Sequence, residues 1–177
     1  ITLTETYQRK IREPSPSPEA PSFAAVTCSR MSASKLYRTI VRVLELRPER
    51  FPRSSSRGRG SRNSLESNFE RIFGFDPSTP TEDVAGTIPQ ALFLMNSPII
   101  TQAIRSKGDT MLARLLGSYE DDRLVFDELY LKVHSRRPSS SEWGIFSKYR
   151  RSVPDRGEAF EDLLWSLVNS TEFISER

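Results

Sequence analysis

His134 is the only histidine and Cys28 the only cysteine in the 177 residues. Imidazole is the one side chain whose ordinary pKa lies near neutrality, so His134 is the first candidate for a proton carrier. Ser135 follows it and Asp127 lies seven residues before it, which supplies the residue types of a nucleophile–base–orienter triad. The spacing denies them the geometry, because neighbours on a helix point about 100° apart. His134 is therefore expected to be structural, near a helix C-terminus where the dipole favours a cation. One thiol and one imidazole fall short of the roughly four ligands of a zinc site, and an intrachain disulfide is impossible. Haem-attachment motifs and Gly-rich phosphate loops are absent, so no metal site and no cofactor is assigned to this fragment.

Carboxylates occur in adjacent pairs at Glu82-Asp83, Asp121-Asp122 and Glu161-Asp162. Acid–base work needs two carboxyl groups facing each other across a substrate, and helical neighbours do not. These pairs read as solvated helix starts. Asp76, in Phe-Asp-Pro-Ser-Thr at 75–79, can accept backbone N–H groups and lock a turn. With Gln90, Asn96 and Asn169 it makes up the candidate polar site, to be judged by whether the four converge. A second candidate is the basic loop with Arg53, Arg57, Arg59 and Arg62. Residues 47–62 hold six Arg and one Glu, a local charge of +5. The whole chain carries +3, so the remainder carries −2. Arg-Gly pairs occur in disordered RNA-binding segments, but only Phe51 interleaves this loop, so a solvated insertion is expected.

The elements that would position these residues read mainly as helices. Leu36, Ile40, Val43 and Leu44 repeat at helical spacing behind Ser32, a capping residue. Leu65, Phe69, Ile72 and Phe73 make a short amphipathic helix that Gly74 stops. Thr87 and Gln90 form a capping box with Pro89 in the first turn, and they open a helix through Met95. That helix is apolar on nearly all sides, which predicts a central place in the core. Ser97-Pro98 starts another helix at once. Gly108-Asp109 opens a helix carrying Met111, Leu112, Leu115 and Leu116, ended by Gly117. The clearest helix spans about 120–135, with Phe126, Leu129, Tyr130 and Val133 as its buried stripe. Ser139 and Glu142 box the next, which carries Trp143 and Phe146. After a turn at 154–157, the last long helix carries Phe160, Leu163, Leu164, Leu167 and Val168. Asn169-Ser170 then starts a final turn. Asn96-Ser97 and Asn169-Ser170 read as one helix-to-helix corner used twice.

The fold class is thus mainly α: an irregular multi-helix bundle with an extended N-terminal strip and a disordered Arg/Ser/Gly loop. Pro14, Pro16, Pro18 and Pro21 keep 12–23 extended. Residues 1–29 read as an extended segment and Pro-rich linker, the end of a truncated preceding region. Residues 30–177 read as the helical domain, with a flexible loop at 47–62. The chain opens on Ile1 and is expected to be a piece of a longer one. Its apolar fraction of 36 % and charged fraction of 28 % are those of an ordinary globular chain, and no apolar run approaches the roughly 20 residues of a membrane span.

Four phrases together resemble a known family. They are Phe-Gly-Phe-Asp-Pro-Ser-Thr-Pro at 73–80, Pro89-Gln90-Ala91-Leu92 with Asn96, Leu129-Tyr130-Leu131 with Arg136 and Pro138, and Asn169-Ser170 with Glu172-Phe173. As a set they are similar to the C-terminal domain, of unknown function, of large secreted proteins of planctomycetes and relatives, which often carry a cytochrome-c-like module. The match is strongest over 69–173. Many members have a Cys-containing stretch before the Gln-Ala-Leu helix, where this chain has Ser, Thr and Asp. The resemblance implies an exported parent (periplasmic, cell envelope or extracellular) and supplies no catalytic residue. The haem-like module of such a parent lies outside this fragment.

The expected function is a non-catalytic helical module of a larger exported protein, packing on the upstream domain of its own chain or recognising a partner. One alternative is part of an enzyme active site shared with that upstream domain, acting on polysaccharide through Asp76, Gln90, Asn96 and Asn169. Weak nucleic-acid binding through the Arg-rich loop ranks last, because one basic loop on a slightly acidic body is a poor electrostatic footprint.

Overall fold

The computed structural model describes residues 29–46, 64–74 and 87–176. The N-terminal strip, the Pro-rich linker, Cys28, the 47–62 loop, Asp76, Glu82-Asp83 and the side chain of Leu65 lie outside the described residues. What is described is mainly α, as the periodicity predicts. In chain order the elements are β1 (Ser29–Arg30), α1 (Ala33–Val43), α2 (Ser64–Phe73), α3 (Ile88–Asn96), α4 (Pro98–Ala103) and α5 (Met111–Ser118). They continue with α6 (Asp122–His134), α7 (Ser140–Ser152), α8 (Arg156–Val168), α9 (Thr171–Ile174) and β2 (Ser175–Glu176). β1 and β2 pair antiparallel, Ser29 with Glu176 and Arg30 with Ser175. Two residues per strand make this a clasp between the segment before α1 and the one after α9, and not a sheet layer.

Two aromatic clusters anchor the core. Phe69 packs against Tyr37, Phe73 and Phe93, which joins α1, α2 and α3. Phe126 packs against Tyr130, Trp143 and Phe146, and Phe146 reaches Phe160, which joins α6, α7 and α8. Phe69, Phe126 and Phe160 are almost wholly buried, and each such ring contributes roughly 2–3 kcal/mol of transfer free energy. α8 is the hub, contacting α5, α6, α7 and α9. Ala159, Phe160, Leu164 and Val168 are all fully buried, so its apolar stripe is spent on those neighbours.

Helix starts follow the capping residues. Thr110, Asp121, Ser139, Asp155 and Ser170 each accept a backbone N–H from the turn they open. Ser139 and Glu142 form the reciprocal box, with Ser139 N–H donating to Glu142 Oε2 at 2.6 Å and Glu142 N–H donating to Ser139 Oγ at 3.2 Å. Ser32 stands at its N-cap position without using its hydroxyl. α5 opens at Thr110, whose hydroxyl accepts the Ala113 N–H, not at Gly108-Asp109, and it runs through Gly117 to Ser118. α8 begins at Arg156, so Gly157 belongs to its first turn and not to the preceding turn.

The largest correction concerns α3. Its uniform apolarity predicts a central helix, yet Ile88 is 78 % exposed, Leu92 52 % and Met95 41 %. Only Gln90, Leu94 and part of Phe93 turn inward. A helix of nine residues can bury its whole circumference only if neighbours cover every side, and α3 packs chiefly on α2 and α4. One face is left to solvent.

Candidate functional site

Gln90 is one of two buried polar residues among the described ones, 6 % exposed, and both ends of its amide are used. Oε1 accepts the Thr87 N–H at 3.1 Å, and Nε2 donates to the Ile72 carbonyl at 2.8 Å. It therefore ties the start of α3 to the end of α2. Asn96 and Asn169 behave as helix-end residues: each Nδ2 donates to the carbonyl four residues earlier, Leu92 at 3.0 Å and Trp165 at 2.8 Å. The serines that follow divide the work differently. Ser170 Oγ accepts from Phe173 N–H, whereas Ser97 is buried and its hydroxyl makes no cap bond. The two Asn-Ser corners thus share their asparagine and differ in their serine.

Of the candidate polar residues, the structure brings Gln90 and Asn169 to one open groove of about 340 Å³. Asn96 is not among its lining residues, Asp76 lies outside the described residues, and so do Arg53, Arg57, Arg59 and Arg62. The groove runs between α3 and the corner where β1 meets α9. Ile88, Ala91, Leu94 and Met95 form its α3 wall, and Arg30 with Ile174 stands opposite. The Arg30 guanidinium makes no ion pair with any described residue, and burial pulls its pKa below the ordinary value with no counter-charge to offset it. Arg30 is not among the site residues expected from the sequence, because it belongs to no charge run; it reads there only as part of the Arg30-Met31-Ser32-Ala33 helix start that, with Leu36, is similar to the same family.

His134 does not form a triad. It ends α6, its ring lies edge-on to Tyr130 at 5.6 Å, and Nδ1 is buried without a hydrogen-bond partner. Burial lowers its pKa, and the nearby Glu172 opposes that shift without overcoming it. The expected stabilisation of a cation by the helix dipole is thus outweighed by desolvation. Ser135 takes the left-handed conformation, φ 56°, as the C-cap.

Two of the paired carboxylates, Asp121-Asp122 and Glu161-Asp162, lie among the described residues, and each member has its own partner. Asp122 meets Arg156 Nε at 2.7 Å and Arg150 Nε at 3.2 Å, while Arg156 also donates to the carbonyls of Leu116, Tyr119 and Glu120. Asp121 caps α6 and Asp122 clamps α8, so this pair is not simply solvated. Glu161 accepts both Ser106 N–H and Ser106 Oγ, at 2.7 and 2.6 Å, whereas Asp162 accepts the Tyr149 hydroxyl. Neighbouring carboxylates thus serve different elements.

The densest clamp is centred on Arg136. Its Nε and Nη2 donate to Glu172 at 2.6 and 2.8 Å, and Nη2 and Nη1 donate to Glu142 at 2.6 and 3.0 Å. Its face lies 5.3 Å from the Tyr130 ring centre. The guanidinium holds Glu142 down at about 2, and the two carboxylates raise the Arg136 pKa in turn. Arg136 and Glu172 come from two of the phrases that carry the family resemblance, so those phrases meet in space.

No protein-family model matches the chain, and no curated protein or solved structure matches it. Among the described residues no His, Cys, Asp and Glu side chains group as a metal-ligand set. No helix among them is long and apolar enough to cross a membrane.

Proposed function

We propose that this chain is a helical interaction module, non-catalytic in itself, of a larger exported protein of the planctomycete type. Its task would be to pack on an upstream domain of the same parent or to recognise a partner. The observation that carries this reading is the exposed apolar face of α3. Ile88, Leu92 and Met95 recur at i, i+4 and i+7 and stand open to solvent, a row of three on one short helix; Leu124, Leu131, Ile145, Tyr149 and Trp165 are the other large hydrophobics exposed among the described residues. The groove beside that face offers one hydroxyl and a guanidinium, groups that hold and orient a bound segment. Gln90 and Asn169 share this groove, but their amides are engaged by Ile72, Thr87 and Trp165, which favours scaffold roles over the polysaccharide-directed site.

Hydrogen exchange on α3 tests the reading. The amides of 88–96 are expected to exchange more slowly in the natural parent protein, or with its partner bound, than in the 177-residue chain. Equal exchange in both, together with a gene that encodes neither an upstream domain nor an export signal, would remove the proposal.

A further inference from the structure

We propose that the groove between α3 and the β1–α9 corner seats an amphipathic helical segment of a partner, whose carboxylate pairs with Arg30. The inference rests on the interaction-module reading and names the seat and the chemistry of what fills it. Three observations carry it. First, Ile88, Leu92 and Met95 form a row along about two turns of α3, roughly 10 Å, the footprint of a helix laid on a helix. Second, the groove beside that row is apolar along Ala91, Leu94 and Met95, so the partner's buried face is apolar. Third, Arg30 is a half-buried guanidinium at the groove wall with no ion pair to a described residue. A cation drawn partly out of water without a counter-ion is a standing electrostatic cost that an incoming carboxylate relieves.

Charge also selects among occupants. Among the described residues the groove lining contains no carboxylate, so a second copy seated through the same described face brings none to Arg30. α3 itself carries no Lys or Arg, whereas a helix lying on an anionic membrane surface presents several. An acidic amphipathic helix of a partner meets both demands.

The test uses the whole 177-residue chain. Dodecapeptides are selected from a random phage-displayed library on the immobilised chain, synthesised with a fluorescent label, and titrated by anisotropy. The selected peptides are expected to combine apolar residues at helical spacing with at least one Asp or Glu. Leu92→Asp, at an exposed position, should weaken binding by roughly tenfold or more. Arg30→Gln should weaken it about fivefold and flatten its salt dependence, and Arg30→Glu should reselect peptides bearing Lys or Arg. Circular dichroism confirms that each variant folds. A photoreactive benzoylphenylalanine at position 92 identifies the occupant directly. Cross-linking to the chain's own residues or to a second copy overturns the proposal, and so does stronger Leu92-dependent binding to phosphatidylserine vesicles than to the peptides. Peptides that bind indifferently to both substitutions overturn the seat but leave the module reading standing. Enrichment of no peptide and cross-linking to nothing sink both.

Discussion

Arg136 holds three segments with one side chain: the end of α6, the first turn of α7 through Glu142, and α9 through Glu172. Its planar fork suits two carboxylates at once, which a lysine cannot reproduce. Partial exposure limits its worth. Arg136→Ala should therefore cost about 1–2 kcal/mol in urea unfolding, and Arg136→Lys should recover less than half of that. Two pH windows follow from the same region. Glu142 is depressed to about 2 in the folded chain, below its unfolded value near 4.5. Its contribution is present above about 4.5 and is lost as pH falls toward 2. His134 is also depressed, but it is a base, so the unfolded chain binds its proton more readily. Stability should therefore begin to fall as pH drops below His134's ordinary value of 6.5. Urea midpoints measured from pH 8 to pH 3 should show both declines. His134→Gln should flatten the upper one, and Glu142→Gln should reduce the lower, which Glu172 shares. A single decline untouched by either substitution would contradict this assignment.

Elements are fixed by close approaches that no pattern displays. Gly157 lies in the first turn of α8 against the loop between α4 and α5. A Cβ there would stand 2.4 Å from Ser106 Oγ and 2.8 Å from Ser106 Cβ. Ser106 is itself held by Glu161 one turn further along α8. Gly157→Ala should therefore destabilise by about 1–3 kcal/mol despite its gain in helix propensity, and Ser106→Gly in the same chain should restore much of the loss. Thermal unfolding of the four variants of that cycle measures the coupling. Phe126→Ala removes the ring that joins α6 to Trp143 and Phe146 of α7, and should cost about 3–5 kcal/mol. The capping boxes and buried stripes that set these helices were legible in the residues, because capping and burial depend on local spacing. Ser139 with Glu142, and Phe126 with Leu129, Tyr130 and Val133, are cases of it. The start of α5 at Thr110 was not, since Gly108, Asp109 and Thr110 offer competing caps and only the fold selects one.

At the scale of the molecule, the described helices pack around α8 and leave the Ile88, Leu92 and Met95 row of α3 uncovered. Substitutions at that face should separate stability from association. Leu92→Asp and Ile88→Asp should change the unfolding free energy by no more than about 0.5 kcal/mol, because neither side chain enters the core. The same substitutions should abolish association through α3, read by analytical ultracentrifugation with the partner present. A large loss of stability would mean that the face is covered within the fold.

The sequence by itself determined the helical class, most helix positions, the two Asn-Ser corners and the inward stripes of α6 and α8. Each depends on residues within about a dozen positions of one another, and local periodicity and capping decide them. Only the tertiary structure decided that α3, the most uniformly apolar helix, stands at the edge of the bundle. Composition says how much apolar surface a helix has, but not how many neighbours arrive to cover it. The fold also decided that Arg136 meets Glu172, that Asp122 meets Arg156, and that Arg30 lines a groove with no ion pair to a described residue. Such pairings join residues tens of positions apart, and a charge in a sequence carries no mark of its partner until the helices pack.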